Sequence, residues 1–259
     1  MVYYWKFNFF NILVESSYPI FLSFFLFSFF FSLMIFFKVN FYFFFCISFF
    51  FLFFCLLVWV KNVFVESLIG NHSFFMQDGF KVCFYYFLFS ELMFFFSLFW
   101  FFFDTSLVPL EELGIYWVPS GLEMVNPFSL PFLNSLILLG SAITLTYVHY
   151  NFLKMLKNMY FFFFTLLLGL MFLSFQIFEY KMMMFSFSDG IFGSIFYFMT
   201  GFHGLHVFFG LIFLLMNFFL LINNNLLMSH HLSFEFSIIY WHFVDVIWLY
   251  LFIFLYWWS

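Results

Sequence analysis

Residues 19–37 read PIFLSFFLFSFFFSLMIFF, a run without a charged side chain. An apolar helix of about 20 residues spans the hydrocarbon core of a bilayer, and comparable runs recur along the chain. Of the 259 residues, 67% are hydrophobic and 7% are charged, which is more apolar surface than a water-soluble domain can bury. The runs lack the period-two alternation of barrel strands, whereas helices satisfy their own backbone hydrogen bonds in lipid. The sequence therefore predicts an all-α membrane protein.

Polar segments divide this apolar sequence into seven predicted transmembrane helices. They are expected over residues 19–37, 39–60, 82–103, 127–150, 159–178, 189–222 and 233–258. We expect an N-terminal tail (1–18), a transmembrane hairpin of helices one and two (19–61), a loop (62–81) and a five-helix bundle of helices three to seven (82–259). The loop is predicted because its composition cannot remain in hydrocarbon: it is bordered or occupied by Lys61, Glu66, His72, Asp78 and Lys81.

The lysines predict the orientation of the helices. The N-terminal tail and the loops after helices two, four and six share one side of the membrane. That side has Lys6, Lys61, Lys81, Lys154 and Lys157, and the other has Lys38 and Lys181. By the positive-inside rule the N-terminus faces the matrix or cytoplasm, and an odd number of helices puts the C-terminus on the opposite side.

Composition indicates where the chain is made. Phe occurs 61 times, whereas Arg is absent and Ala142 is the sole alanine, a bias toward AT-rich codons that some organellar genomes show. No cleavable export signal or Arg-rich transit sequence is evident. These features predict a protein that is made inside its own compartment and inserted during synthesis. The membrane of an AT-rich bacterium is the alternative.

Glu91 is a carboxylate in the middle of predicted helix three. Such a group costs roughly 2.5–3.5 kcal/mol on membrane-insertion scales, so something must stabilise it. One interpretation is a group that handles protons, and another is an anchor for a lipid headgroup or a neighbouring helix. The third is a buried hydrogen bond that fixes helix packing. The three interpretations stay open at this point.

Polar side chains on helices six and seven form a second candidate site. His203 and His206 are three residues apart, as are His242 and Asp245, so each pair shares a helix face. If the two faces were opposed, three imidazoles and a carboxylate would meet in an arrangement that resembles a metal site. The alternative is a structural polar network that joins the two helices by hydrogen bonds.

The glycines of helix six favour the structural network. Small residues let helices approach closely, and polar side chains at such contacts hydrogen-bond across the interface. We expect this close contact at Gly201, Gly204 and Gly210. The sequence thus predicts no metal site among the four polar residues.

The remaining histidines do not predict cofactor binding. His230 and His231 lie at a helix end beside Glu235, where a cap that is solvated or at the level of the lipid headgroups is expected. Axial haem ligands lie deep in helices, but His149 is at a helix end and His72 is in a loop. Nucleotide-binding loops, nucleophile elbows and catalytic triads are missing from the sequence. We predict no catalytic residue and no active site of the chain's own.

Several segments resemble the signature sequences of one family. Toward the C-terminus they are GFHGLHV (201–207), SHHLSFE (229–235), YWHFVDVIW (240–248) and YWWS (256–259). The earlier ones are VES (65–67), QDG (77–79), SELMFFF (90–96), PSG (119–121), NP (126–127) and SDG (188–190). In order and spacing they are similar to subunit III of cytochrome c oxidase, from about residue 57 to the C-terminus.

The resemblance implies a fold and a binding site. Helices one and two would be separated from helices three to seven by a V-shaped cleft that holds structural phospholipids. The lipid-binding residues would be Trp59, Glu66, His72 and Glu91. The subunit would bind no haem or copper itself, because haem a and copper belong to partner subunits.

The resemblance also implies a location, partners and a role. The chain would be a multi-pass protein of the mitochondrial inner membrane, with its N-terminus in the matrix and its C-terminus in the intermembrane space. The chain would be a non-catalytic core subunit of respiratory complex IV, packed against subunits I and II and accessory subunits, with a respiratory supercomplex as a further assembly. It would stabilise the catalytic subunit and support proton uptake and lipid or oxygen access while oxygen is reduced to water. No nucleic acid partner is expected.

Two positions depart from the family pattern. In the loop between helices two and three, Val65 stands where the family usually has a basic residue before Glu66-Ser67. After helix six, Asn223–Asn225 occupy a stretch where arginine is common. We therefore expect weaker headgroup binding there, or a contact supplied by another subunit.

A free-standing redox or transport protein that uses the four polar residues of helices six and seven is the alternative function, and stoichiometric metal would identify it.

Overall fold

The computed structural model describes residues 16–69, 74–109, 117–118, 121–156, 158–226 and 231–258. Within these ranges the chain is helical without strands, and seven helices are long and apolar enough to cross a membrane. The helices are α1 (Tyr18–Val39), α2 (Tyr42–Ile69), α3 (Phe74–Leu107), α4 (Leu130–Leu153), α5 (Met159–Met182), α6 (Gly190–Ile222) and α7 (Leu232–Leu251), followed by a π-helix (Phe252–Trp258). The predicted all-α fold with seven transmembrane helices is confirmed.

The chain divides into two compact units, Met1–Val82 and Cys83–Ser259. In the first unit, α1 and α2 form a hairpin. Asn40 joins them with a left-handed backbone (φ 55°), and its N–H donates to the Phe36 carbonyl at 2.8 Å. Asparagine tolerates this conformation better than most residues, which suits it to a sharp helix end. A buried hydrogen bond between Ser32 and Ser48 (2.6 Å) links the two helices.

The helices on either side of the predicted loop 62–81 are longer than the sequence predicts. We expected a loop over 62–81, but α2 continues to Ile69 and α3 begins at Phe74. Charged residues at these ends are part of the helices, and Lys81 pairs with Asp78 one turn away at 3.2 Å. Charge marks where a helix leaves hydrocarbon, and a helix can continue beyond that level because its backbone bonds are internal.

Trp241 on α7 is central to the packing of the second unit. It is fully buried, and its indole N–H donates to Ser141 Oγ on α4 at 2.9 Å. Its ring also lies against Gly169 on α5, where an added Cβ would approach it to 2.8 Å. At Gly210 on α6 an added Cβ would lie 3.1 Å from the same ring. One aromatic side chain therefore joins α7 to three other helices.

The glycine prediction for α6 is correct at one position of three. Gly210 makes the expected close contact, whereas a Cβ at Gly201 or Gly204 would have no neighbour within 4 Å among the residues that the structure describes. A second glycine in close contact with Trp241 is Gly169 on α5, which helix spacing did not indicate. The large indole of Trp241 needs small partners on two helices, and that need depends on tertiary placement rather than on local sequence.

Candidate functional site

Glu91 and His206 form an ion-pair-like contact between α3 and α6. Glu91 Oε2 lies 2.8 Å from His206 Nε2, and their side chains are 24% and 13% exposed. The other ring nitrogen, His206 Nδ1, lies 2.6 Å from the carbonyl oxygen of Phe202 on the preceding helical turn. This contact fits two of the interpretations of Glu91, an anchor to a neighbouring helix and a hydrogen bond that fixes helix packing. Proton handling and a headgroup contact stay predictions.

Hydrogen-bond chemistry determines the net charge of this pair. A carbonyl oxygen only accepts, so Nδ1 of His206 carries a hydrogen and donates it to Phe202. The contact between Nε2 and Glu91 then contains a single proton, on the imidazole or on the carboxyl group. The first arrangement is imidazolium with carboxylate and the second is two neutral groups, so the pair is neutral in both. A neutral pair is far less costly in hydrocarbon than a lone carboxylate.

The pair lies deep within the apolar spans. At about 1.5 Å per residue, His206 is about 24 Å along the axis from either end of α6. Glu91 is about 20 Å from Asp104, near the C-terminal end of α3. Both groups are therefore near mid-span and well away from the helix ends.

A cavity of about 600 Å³ opens beside the pair. Apart from Glu91 and His206, its polar side chains are Ser90 and Tyr240, and its other lining residues are apolar. These are Phe84, Phe87, Phe94, Phe202, Leu205, Phe209 and Phe213. The cavity suits an apolar ligand with at most a small polar feature at the Glu91 end.

Aromatic rings carry much of the packing of α3 within the second unit. Phe84 stacks on Phe236 with ring centroids 4.4 Å apart, and Phe94 lies 5.1 Å from Phe202. Large rings hold two helix backbones further apart than small residues do, which leaves space between them. The cavity beside Glu91 follows from this choice of side chains.

The four polar residues predicted as a network on helices six and seven do not bond to one another. His206 contacts Glu91 instead. His203 is fully buried between the rings of Phe172 and Trp248, at centroid distances of 5.7 and 5.2 Å. Among the described residues, neither nitrogen of His203 has a hydrogen-bond partner.

Asp245 and His242 are also unconnected to the rest of the predicted network. Asp245 is 6% exposed and its Oδ1 has no partner among the described residues, while His242 is half-buried. In the described part of the chain, the four predicted residues do not bring three ligand atoms together around one point. Within this part of the chain, the neighbours of His203 are aromatic rings rather than the polar residues of α7.

The other predicted lipid-binding residues belong to the first unit. Trp59 and Glu66 lie on α2, both half-buried, and their seven-residue spacing puts them on one helix face. His72 lies outside the described residues. Lipid binding by Trp59, Glu66, His72 and Glu91 stays a prediction.

A buried polar cluster near the C-terminus was not predicted. Glu179 is 2% exposed and accepts a hydrogen bond from Tyr256 at 2.7 Å, although its charge suggested a position after helix five. Thr200 donates to the Phe196 carbonyl, so its oxygen accepts the hydroxyl of Tyr180 at 2.6 Å. The feature of the sequence that could have indicated this cluster is the YWWS segment, which contains Tyr256.

Comparison with known proteins gives one consistent result. The model of the family described as cytochrome c oxidase subunit III matches residues 8–259. A protein named cytochrome c oxidase subunit 3 from Rhizopus stolonifer is 45% identical over 204 residues, 78% of this chain and 73% of the relative. The protein of the same name from Chondrus crispus is 44% identical to this chain over 214 residues, 80% of this chain and 79% of the relative. The one from Marchantia polymorpha is 42% identical over 217 residues, 83% of this chain and 82% of the relative.

Proposed function

The chain belongs to the cytochrome c oxidase subunit III family, and on that premise we propose that it is a non-catalytic core subunit of cytochrome c oxidase. It packs against subunits I and II and accessory subunits, and the haem a and copper of the complex reside in partner subunits. It stabilises the catalytic subunit and supports proton uptake, and it joins respiratory supercomplexes as part of the complex. Family membership is the support for these roles.

The proposed location is the mitochondrial inner membrane. The N-terminus faces the matrix and the C-terminus the intermembrane space. The AT-biased composition supports the compartment, and the distribution of the lysines supports the orientation. Seven spans within the described residues support termini on opposite sides of the membrane.

In this proposal the cavity beside Glu91 and His206 holds acyl chains of a structural phospholipid. The observation that supports this proposal is a cavity of about 600 Å³ that lies at mid-span and is lined mainly by aromatic and aliphatic side chains. The hydrocarbon core of a bilayer is about 30 Å thick, so a headgroup at its surface is about 15 Å from this level. Chains rather than headgroups reach this depth, and oxygen, which is also apolar, has access through the same cavity.

A separate headgroup contact is proposed on α2. Tryptophan is enriched at the membrane interface, where its ring is in apolar surroundings and its N–H in polar ones. Glu66, two turns beyond Trp59, offers a carboxylate to a headgroup ammonium. His72 is a further proposed ligand.

The experiment compares Glu91→Ala with Glu91→Gln in the assembled oxidase. The alanine variant leaves His206 Nε2 without its partner, whereas glutamine keeps a hydrogen-bonding amide in the same volume. Mass spectrometry of the purified complex measures tightly bound phospholipid per haem a, and gel analysis measures how much of this subunit is retained. We expect Glu91→Ala to lower both, Glu91→Gln to change them less, and haem and copper optical signals to stay unchanged.

His242→Gln is the matched control because it changes a half-buried imidazole on α7 that does not line the cavity. It is expected to leave bound phospholipid at the wild-type level. Unchanged lipid in Glu91→Ala would contradict lipid binding at this cavity. Loss of a haem or copper signal while the subunit stays assembled would contradict the non-catalytic role.

A further inference from the structure

Three potential metal ligands meet at the end of the second unit where α4 finishes and α7 begins. His149 is in the last turns of α4, His231 immediately precedes α7, and Glu235 is in the first turn of α7. One nitrogen from each imidazole and one carboxylate oxygen all lie within 4.8 Å of one another. We infer that these three residues bind a divalent cation that accepts nitrogen and oxygen ligands, such as Zn²⁺. The inference is independent of lipid binding at Glu91.

The hydrogen bonding of the two histidines supports this inference. Nε2 of His149 and Nε2 of His231 are both buried without a hydrogen-bond partner among the described residues. His231 Nε2 lies 3.0 Å from Glu235 Oε1, but the approach lacks the angle of a hydrogen bond, so the nitrogen remains unsatisfied. Buried polar atoms normally have partners, and a cation shared by the three residues satisfies both nitrogens.

The spacing of the ligand atoms is compatible with tetrahedral coordination. Zinc binds imidazole nitrogen and carboxylate oxygen at about 2.0–2.2 Å, which puts ligand atoms about 3.3 Å apart around the ion. The observed separations range from 3.0 Å to at most 4.8 Å, so small side-chain rotations bring all three into position. Two imidazoles with one carboxylate are a ligand set that zinc uses, and they leave a fourth position for water. Magnesium and calcium favour oxygen ligands and fit this set poorly.

The backbone around the ligands is well anchored. The carbonyl of His231 accepts the N–H groups of Phe234 and Glu235 at 2.9 and 3.1 Å, so it caps α7. Asn217 on α6 exchanges two hydrogen bonds with Ser233, at 3.2 and 2.9 Å, and thereby holds the start of α7. The Glu235 side chain is 37% exposed, which gives an ion a route to the site. A bound ion links α4 directly to α7.

The test measures zinc bound by the purified oxidase that contains this chain. Equilibrium dialysis with radioactive zinc, in a large excess of Mg²⁺, compares the unmodified complex with Glu235→Gln and with His231→Asn. Because partner subunits can bind zinc elsewhere, the readout is the difference in ions bound per complex. We expect each variant to bind one ion fewer. X-ray absorption at the zinc edge should lose a component with two nitrogen ligands at about 2.0–2.1 Å.

Two controls make the result decisive. His242→Gln removes an imidazole outside the cluster and should keep the full zinc count. Glu235→Gln preserves the size of a half-exposed side chain, and co-purification of the subunit shows that the variant assembles. Equal zinc counts in the unmodified complex, Glu235→Gln and His231→Asn would overturn the inference. A reduced count in His242→Gln equal to that of the site variants would overturn it as well.

Discussion

Tyr256 provides the most direct test of a single buried contact. Its hydroxyl donates to Glu179 at 2.7 Å, and the other carboxyl oxygen of Glu179 has no partner among the described residues. Tyr256→Phe removes that donor without changing the ring. We expect a loss of about 1–3 kcal/mol in unfolding free energy, because a buried acceptor is left unpaired. Thermal denaturation of the detergent-solubilised complex, followed by retention of this subunit, measures the effect.

Tyr250→Phe is the control for that substitution. Tyr250 is 50% exposed, so removal of its hydroxyl should leave the thermal midpoint unchanged. The double variant Tyr256→Phe with Glu179→Leu removes both polar partners and should recover part of the lost stability. Equal midpoints for Tyr256→Phe and Tyr250→Phe would show that the bond to Glu179 contributes nothing to stability.

Helix packing depends on two glycines that face one indole. At Gly169 a new methyl group would lie 2.6 Å from Leu211 Cδ2 and 2.8 Å from Trp241 Cη2. The leucine can rotate away, but the fully buried indole is held by Ser141. We expect Gly169→Ala to destabilise the subunit by about 1–3 kcal/mol, as overpacking of a close-packed interior does. Thermal denaturation and assembly yield are the measurements.

Gly204→Ala on α6 is the matched control for Gly169→Ala. In the described part of the chain no atom outside the local helix lies within 4 Å of the added Cβ, so helix propensity is the expected change. Alanine is favoured over glycine in a helix interior by about 1 kcal/mol, so this variant should be neutral or slightly more stable. A midpoint for Gly169→Ala at or above that of Gly204→Ala would contradict the packing described around Trp241.

The helices could be predicted from the sequence because a membrane-spanning helix must consist mainly of apolar residues. Long apolar runs with at most two charged residues defined the seven helices, because lipid tolerates few charges and leaves no other way to satisfy the backbone. The ends of α2 and α3 were not predictable in the same way, since Glu66 and Asp78 signal a polar environment without ending a helix. Spacing within α6 gave His203 and His206 a shared face, but it could not show that His206 meets Glu91 on another helix while His203 packs among rings.

At the scale of the whole molecule, the number of spans determines where the termini lie. The structure describes seven helices able to span a membrane, and we propose on that count that the two ends of the chain lie on opposite sides. We expect epitope tags at the N-terminus and after Ser259 to be digested by protease from opposite sides of sealed inner-membrane vesicles. The lysine distribution further predicts that the N-terminal tag is reached from the matrix side. Digestion of both tags from the same side would contradict the topology.

The internal neutrality of Glu91 and His206 has an electrical consequence. Moving one elementary charge through the whole transmembrane voltage is worth about 2.3 kcal/mol per 100 mV. A lone carboxylate at mid-depth would experience a substantial share of that field, and its stability would change whenever the membrane became energised. A pair with zero net charge experiences no net force from the field, and a proton passing between atoms 2.8 Å apart displaces charge over a small fraction of the bilayer. The contact between α3 and α6 is therefore largely insensitive to voltage.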